Sequence, residues 1–391
     1  MQSSDISQGI LQQADLCVKC GMCSNQCPTY LIKRDENESP RGRIALAQAL
    51  ATDSNKPTST IKKHLDSCLS CLRCEKVCPS KVSFSKIMDN SKQLLSQNGT
   101  PAKAKLIAKI IKLNQTQWRR LAKTYRLASR SGLLFFGSLF FYRQFRDYLR
   151  PVAKSPENQS FKEQIQLFTG CLSHLFDQQT HYSLVSLLNA CNVSVAIPKN
   201  QQCCGAIAKH SGMLKEADLC HTNNETAFDA DKPILFSASG CGAHLKHQKN
   251  SKLNTSIEAG EFLLSHKNFS NLQFTNLDKK ILVHSPCSEK NDLKRCSTTQ
   301  LLSHIPGISI TNIPDSTPCC GAAGSYMLKQ PKLAGQIREL TEEEILRHQP
   351  DIIVTTNFPC AMHIAAGLKQ KGLDIEVMHP LSLLQKQLNT R

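Results

Sequence analysis

Two short stretches share one cysteine spacing: CVKCGMCSNQCP at 17–28 and CLSCLRCEKVCP at 68–79, each C-x-x-C-x-x-C-x-x-x-C-P. Four thiols within eleven residues constrain the fold more than any apolar pattern nearby, because the chain must wrap around whatever they hold. The 391 residues include 19 cysteines. They are clustered, and adjacent Cys-Cys pairs bridge poorly to each other, so a disulfide framework fits badly. The N-terminus MQSSDISQGILQQAD carries no apolar leader segment. A reducing cytoplasm with metal-ligating thiols is the expectation.

A C-x-x-C-x-x-C loop presents three thiolates to the corners of one cube. The fourth cysteine, three residues on and followed by proline, cannot reach that cube; in two-cluster ferredoxins it ligates the other one. Cys17, Cys20, Cys23 and Cys78 are therefore expected to hold one [4Fe–4S] cluster. Cys27, Cys68, Cys71 and Cys74 are expected to hold a second. Gly21 suits a tight turn, and Pro28 and Pro79 turn the chain away from the cubes. Zinc gives no reason for the repeated C-x-x-x-C-P. Between the runs, ESPRGRIALAQALA reads as a helix with Ser39 as N-cap and Pro40 as first residue, continuing to about Ala51.

The second half repeats itself. IQLFTGCLSH matches ILVHSPCSEK, IPKNQQCCGAIAKHSGML matches IPDSTPCCGAAGSYML, and ILFSASGCGAH matches IIVTTNFPCAMH. Cys171 to Cys203 and Cys287 to Cys319 both span 32 positions. Apolar strand-like runs precede the first and last cysteine of each repeat and helix-like runs follow. That alternation predicts a parallel sheet in each half, with the cysteines on loops at strand carboxyl ends. Cys171, Cys203, Cys204 and Cys241, then Cys287, Cys319, Cys320 and Cys360, form two further candidate sets for a cluster or a metal. A redox thiol site is the alternative. A shared cleft for both sets is expected. Gly205 and Gly321 would allow a bend or a close approach. His244 and His363, three residues after the last cysteines, read as ligands or as supporting side chains. Cys191, Cys220 and Cys296 have no repeat counterpart and read as buried small apolar residues.

The formal charge is +17. Much of it sits in residues 101–150, with twelve Lys or Arg against one acid, Asp147. Apolar residues at helical intervals there suggest basic amphipathic helices, either a solvated linker or a docking surface for a membrane face or acidic partner. The apolar block GLLFFGSLFFY is too short to span a membrane. The expected fold is thus a helical two-cluster domain at 1–95 and a basic helical linker at 96–159. Two α/β cysteine-rich domains follow, at 160–275 and 276–391.

CVKCGMCSNQCPTY, SPRGRI, HLDSCLSCLRCEKVCPS and the two CCG modules together resemble the iron–sulfur subunits of bacterial glycolate oxidase (glycolate dehydrogenase). The resemblance covers nearly the whole chain in the same order. It implies an electron carrier, with the ferredoxin-type clusters on the eight N-terminal cysteines. FAD-binding partner subunits would oxidise glycolate to glyoxylate, and electrons would pass to a membrane acceptor such as quinone. The location implied is cytoplasmic, peripheral on the inner face of the membrane. The cysteine-rich modules also resemble those of heterodisulfide reductase and anaerobic glycerol-3-phosphate dehydrogenase. The fullest module ends in C-x-x-C; here Ala238 and Asn357 stand at its first position.

The sequence holds no G-x-G-x-x-G helix opening and no P-loop. Two-electron oxidation of a 2-hydroxy acid therefore belongs in a partner. D-lactate and glycerol 3-phosphate stand behind glycolate as substrates of such a complex. A thiol–disulfide enzyme is a separate reading. Nucleic acid is disfavoured, because Phe135, Phe136, Phe140, Phe141 and Tyr142 form one block instead of interleaving with the cations.

Overall fold

The computed structural model describes residues 3–53, 57–97 and 161–389, with Gln117, Arg120 and Ser155. The basic segment expected as a helical linker otherwise lies outside the described residues.

The N-terminal domain is a small helical bundle carrying two cysteine loops. Helices Ser3–Ala14, Pro40–Thr52, Ser59–Asp66 and Phe84–Gln97 pack around Ile6, Ile10, Ala47, Leu50, Leu65 and Ile87, none with measurable exposure. The second helix starts as its sequence dictates: Ser39 Oγ accepts the Gly42 N–H at 3.0 Å, and Pro40 occupies the first turn. It ends at Thr52, one residue past the expected position.

Each repeat forms a four-stranded, all-parallel sheet. In the first, β1 (Glu163–Phe168), β2 (Val193–Ala196), β3 (Ile234–Phe236) and β4 (Ile257–Glu258) lie in the order β2-β1-β3-β4. In the second, β5 (Lys280–Val283), β6 (Ser309–Asn312), β7 (Ile352–Val354) and β8 (Glu376–Met378) lie in the order β6-β5-β7-β8. The order is the same because the same apolar runs recur at the same intervals. Buried strands of this type are short and continuously apolar, as in ILF and ILV. One core joins the two sheets: Ile165, Leu184 and Leu188 pack in one cluster with Ile281, Val283, Leu301 and Leu381. The helix Gln178–Ala190 lies against the helix Pro380–Gln387, and Thr180 and Ser382 hydroxyls are 3.4 Å apart.

The helical domain touches both repeats. Helix Phe84–Gln97 meets the first, where Gly212 (φ +75°) lies against the Lys92 carbonyl and Ser96 Oγ donates to the Gly212 carbonyl at 2.9 Å. A Cβ at Gly212 would sit 2.2 Å from that carbonyl oxygen, so only glycine fits there. The second repeat instead meets the cysteine loop at 68–74. Among the described residues no helix is long and apolar enough to cross a membrane.

Candidate functional site

The two N-terminal runs adopt the same unusual backbone. Lys19 and Ser70, and Gly21 and Leu72, sit at matched positions and all have positive φ, at +56°, +53°, +82° and +58°. Three of these four are not glycine, so the left-handed turns are imposed by the loop at a cost of roughly 1 kcal/mol each. Such turns aim successive backbone N–H groups and thiols inward.

Thiols from both runs share one pocket. Cys17, Cys20, Cys23 and Cys78 line one small pocket, and Cys74 reaches its wall too. Cys27 is absent from that wall and is 8 % exposed. Its thiol feels the charge of Cys71, and Cys74 feels Cys71, Cys68 and Cys27. Burial is the first cause that raises Cys23, to about 11, and it raises Cys27 and Cys74 as well. As thiols these groups are unfavourably placed to ionise; a bound cation supplies what burial removes.

The PRGRI segment ties the loops together. Arg41 Nε donates to Glu36 at 2.6 Å, and its Nη1 donates to the Lys19 carbonyl at 3.3 Å. Gly42 passes so close to the Glu36 carbonyl that a Cβ would lie 1.9 Å from its oxygen. Arg43 is 1 % exposed and uses its whole guanidinium. It donates to the carbonyls of His64 (2.9 Å) and Glu38 (2.6 Å), to the Glu38 carboxylate (2.6 Å), to Ser67 Oγ (2.8 Å) and to Cys27 Sγ (3.6 Å). A buried guanidinium held this way is a fixed positive charge at the Cys27 thiol.

The repeat cysteines follow the carboxyl ends of strands: Cys171 and Cys241 after β1 and β3, Cys203 and Cys204 after β2, Cys287 and Cys360 after β5 and β7, and Cys319 and Cys320 after β6. In the first repeat Cys171 Sγ is 3.6 Å from Cys203 Sγ, and Cys204 contacts Cys241. In the second, Cys287 contacts Cys319, and Cys320 contacts Cys319 and Cys360. Gly205 (φ +96°) and Gly321 (φ +80°) lie against the Ala217 and Ala334 carbonyls. The two histidines sit behind these glycines. His244 Nε2 is 3.3 Å from where a Gly205 Cβ would be, and burial lowers its pKa to about 3. His363 Nε2 donates to the Ala334 carbonyl at 3.2 Å. Both therefore support the Cys-Cys-Gly turn.

One cavity of about 970 Å³ is lined by Cys171, Cys203, Cys204 and Cys241, by Cys287, Cys319 and Cys360, and by Cys68 and Cys71 of the helical domain. Cys320 does not line it; it is 1 % exposed and lies behind Cys319. Among the described residues no three His, Cys, Asp or Glu side chains converge as the ligands of a single ion do. A four-iron cube spreads its thiolates over its corners, so thiols lining a pocket fit it better than they fit one tetrahedral ion.

Residues 13–82 match the 4Fe-4S dicluster domain, and residues 165–246 and 281–365 match the cysteine-rich domain. This chain is an iron–sulfur protein. It is 29 % identical to the glycolate oxidase iron–sulfur subunit of Escherichia coli, over 90 % of this chain and 89 % of the relative. It is 27 % identical to the probable glycolate oxidase iron–sulfur subunit of Bacillus subtilis, over 94 % and 92 %. Lactate utilization protein A 2 of Bacillus cereus is 25 % identical over 58 % of this chain and 99 % of the relative. The likeness to glycolate oxidase iron–sulfur subunits read from the motifs is thus borne out.

Three features of this iron–sulfur protein escape sequence reasoning. Cys220, read as a lone apolar residue, is fully buried and contacts Cys203, adding a fifth thiol to the first repeat's set. Cys296 is exposed, not buried; it follows a left-handed turn at Lys294 at the surface. Cys191 is buried as expected. The segments that hold the two positions lacking a cysteine, Ala238 and Asn357, are hydrogen-bonded to each other. Asn357 Nδ2 donates to Cys360 Sγ at 3.3 Å, its Oδ1 accepts from Gly240 N at 3.4 Å, and Ser239 N donates to the Thr356 carbonyl at 3.1 Å. Asn357 so fills the missing cysteine's place with a donor to the remaining thiol.

Proposed function

We propose that this chain is the electron-transferring subunit of a flavin-dependent 2-hydroxy-acid dehydrogenase complex, oxidising glycolate to glyoxylate. The observation that carries the reading is that Cys78 of the second run lines one pocket with Cys17, Cys20 and Cys23, which supports two [4Fe–4S] clusters with crosswise ligands. Cys17, Cys20, Cys23 and Cys78 would hold one; Cys27, Cys68, Cys71 and Cys74 would hold the other. A bound cluster of this kind accepts and returns one electron at a time. The chain's own residues wrap the thiols, exclude water and place the Arg43 charge beside the second set. The cysteines of the two repeats would hold a further cluster or metal. Flavoprotein subunits with FAD would carry the two-electron step, and a quinone at the inner membrane face would take the electrons. Glycolate is preferred over D-lactate because relatives named for glycolate oxidase align over nine-tenths of the chain, against 58 % for the one named for lactate utilization.

The test is twofold. Anaerobically purified protein should contain about eight iron and eight sulfide in the N-terminal domain. Cys20→Ser should remove one cluster signal, whereas Cys27→Ser should damage the other. Loss of the same signal in both variants would end the crosswise assignment. The purified chain should not reduce a dye with glycolate until flavoprotein subunits are added; turnover by the flavin-free chain would overturn the carrier reading.

A further inference from the structure

The cavity between the helical domain and the repeats has a second chemical character besides its thiols. Its wall carries Lys62, Lys92 and Lys329 near Asp66, and Lys92 also acts on Asp89. Several other cations on the same wall have ion pairs. Lys209 and His210 share Asp89, at 3.7 and 3.4 Å, and His247 pairs with Asp292 at 2.5 Å. Lys92 differs. It is only 7 % exposed, and its ammonium donates to Ser70 Oγ at 3.3 Å, with no ion-pair partner among the described residues. An ammonium has three donors, and a buried charge is expensive unless paired. Lys329 donates to Ser211 Oγ at 2.9 Å. Burial lowers its pKa, with Lys92 assisting and Asp66 opposing, and both lysines line the cavity. A concave wall with excess positive charge focuses its field on whatever enters.

We propose that this cavity binds a small molecule through an oxyanion, carboxylate or phosphate, seated on Lys92 with Lys329 and Lys62 around it. The Ser70 and Ser211 hydroxyls add neutral donors. Ser70 lies between Cys68 and Cys71, so the bound anion stands directly beside the second cysteine run. The proposal is independent of the electron-carrier reading, because binding needs no turnover.

The experiment is calorimetric titration of the anaerobically purified full chain with glycolate, glyoxylate and inorganic phosphate, each at one fixed ionic strength. At least one probe should bind saturably. Lys92→Gln and the more exposed Lys329→Gln should each weaken it about tenfold, the loss expected for a charge-assisted hydrogen bond. Lys199→Gln, an exposed lysine outside the cavity wall, should leave affinity unchanged. Binding of phosphate alone would identify a phosphate ligand, and binding of the organic acids alone a carboxylate; either supports the site. No saturable binding with any probe, or equal affinity in Lys329→Gln and the parent chain, would overturn it.

Discussion

The two cysteine-rich domains share one strand order, one cysteine spacing and one Cys-Cys-Gly turn, yet their thiols face different neighbours. In the first, Cys171, Cys203 and Cys204 are packed among Phe168, Cys220 and Phe228, and burial contributes to holding all three well above the usual thiol range. The second opens onto the helical domain. Leu69 and Cys71 share its core, and Asn291 Nδ2 donates to the Cys71 carbonyl at 2.8 Å. Cys319 is held well below the usual range, first by the Cys287 thiol and then by the Cys320 thiol; the Gly321 N–H assists. Cys71 is lowered as well, by the Cys287 thiol. The two cups share one backbone plan, and the cysteine loop of the helical domain packs into the core of the second.

The docking is where this contrast is most exposed to test. Arg73 Nη1 donates to the carbonyls of Asp315 (3.0 Å) and Thr317 (2.9 Å), and Nη2 to that of Ser316 (3.1 Å). Its remaining donors hold Gln26 at 3.2 and 3.0 Å. Arg73→Ala should cost about 3 kcal/mol, the scale of lost charge-assisted bonds with carbonyls left behind. Hydrogen exchange should rise at 68–72 and 314–320 and stay unchanged at 200–205. Equal loss of protection at both Cys-Cys-Gly turns would break the distinction.

A smaller effect should appear in the electronic properties of the second cysteine run. Cys319→Ala should shift the midpoint potential of the cluster held there by on the order of 60 mV, the one-electron equivalent of a tenfold change. Cys203→Ala should shift it little. Potentiometric titration followed by electron paramagnetic resonance measures both, and matching shifts would mean the repeats are electrically equivalent.

The smallest expected difference lies in the two glycines. A Cβ at Gly321 would meet the Ala334 oxygen at 2.5 Å, against 3.1 Å between Gly205 and the Ala217 oxygen. Both substitutions to Ala pay the left-handed backbone penalty of about 1 kcal/mol. Gly321→Ala should cost about 1 kcal/mol more, because a main-chain carbonyl must also shift. Urea unfolding of the two variants, compared side by side, checks the ordering.

The features legible in the sequence are those encoded by spacing. The meeting of Cys78 with Cys17, Cys20 and Cys23 follows from C-x-x-x-C-P. The parallel sheets follow from short apolar runs before cysteines. The Ser39 cap follows from Ser-Pro before an alanine-rich stretch. What stayed hidden joins residues far apart with no periodic signal. Arg73 is one of two spacer residues between Cys71 and Cys74, and nothing local marks its partners. Cys220 lies on a helix in ADLCHTN and looks structural until Cys203 is brought to it. Lys92 belongs to an ordinary amphipathic helix, and its burial arises only when the Gly212 turn closes over its backbone. Arg43 stands in a legible motif, but its role needs Cys27, Glu38, His64 and Ser67 in one place.

The Arg73 clasp also carries a consequence for the order of events in time. Its partners lie 242 to 244 residues further along the chain. At ribosomal speeds of about 5–20 residues per second, roughly ten to fifty seconds separate the emergence of Cys71 from that of its cover. Throughout that interval the helical domain is complete while the Cys68–Cys74 loop stands open on the side that the second repeat later closes. Iron and sulfide delivered during synthesis reach this loop with no docked domain in the way. In the finished chain that side is closed by three carbonyls on one guanidinium, and Cys68 and Cys71 are reached from the cavity between the domains. The contact that ties the mature domains together thus changes the side from which the loop is reached.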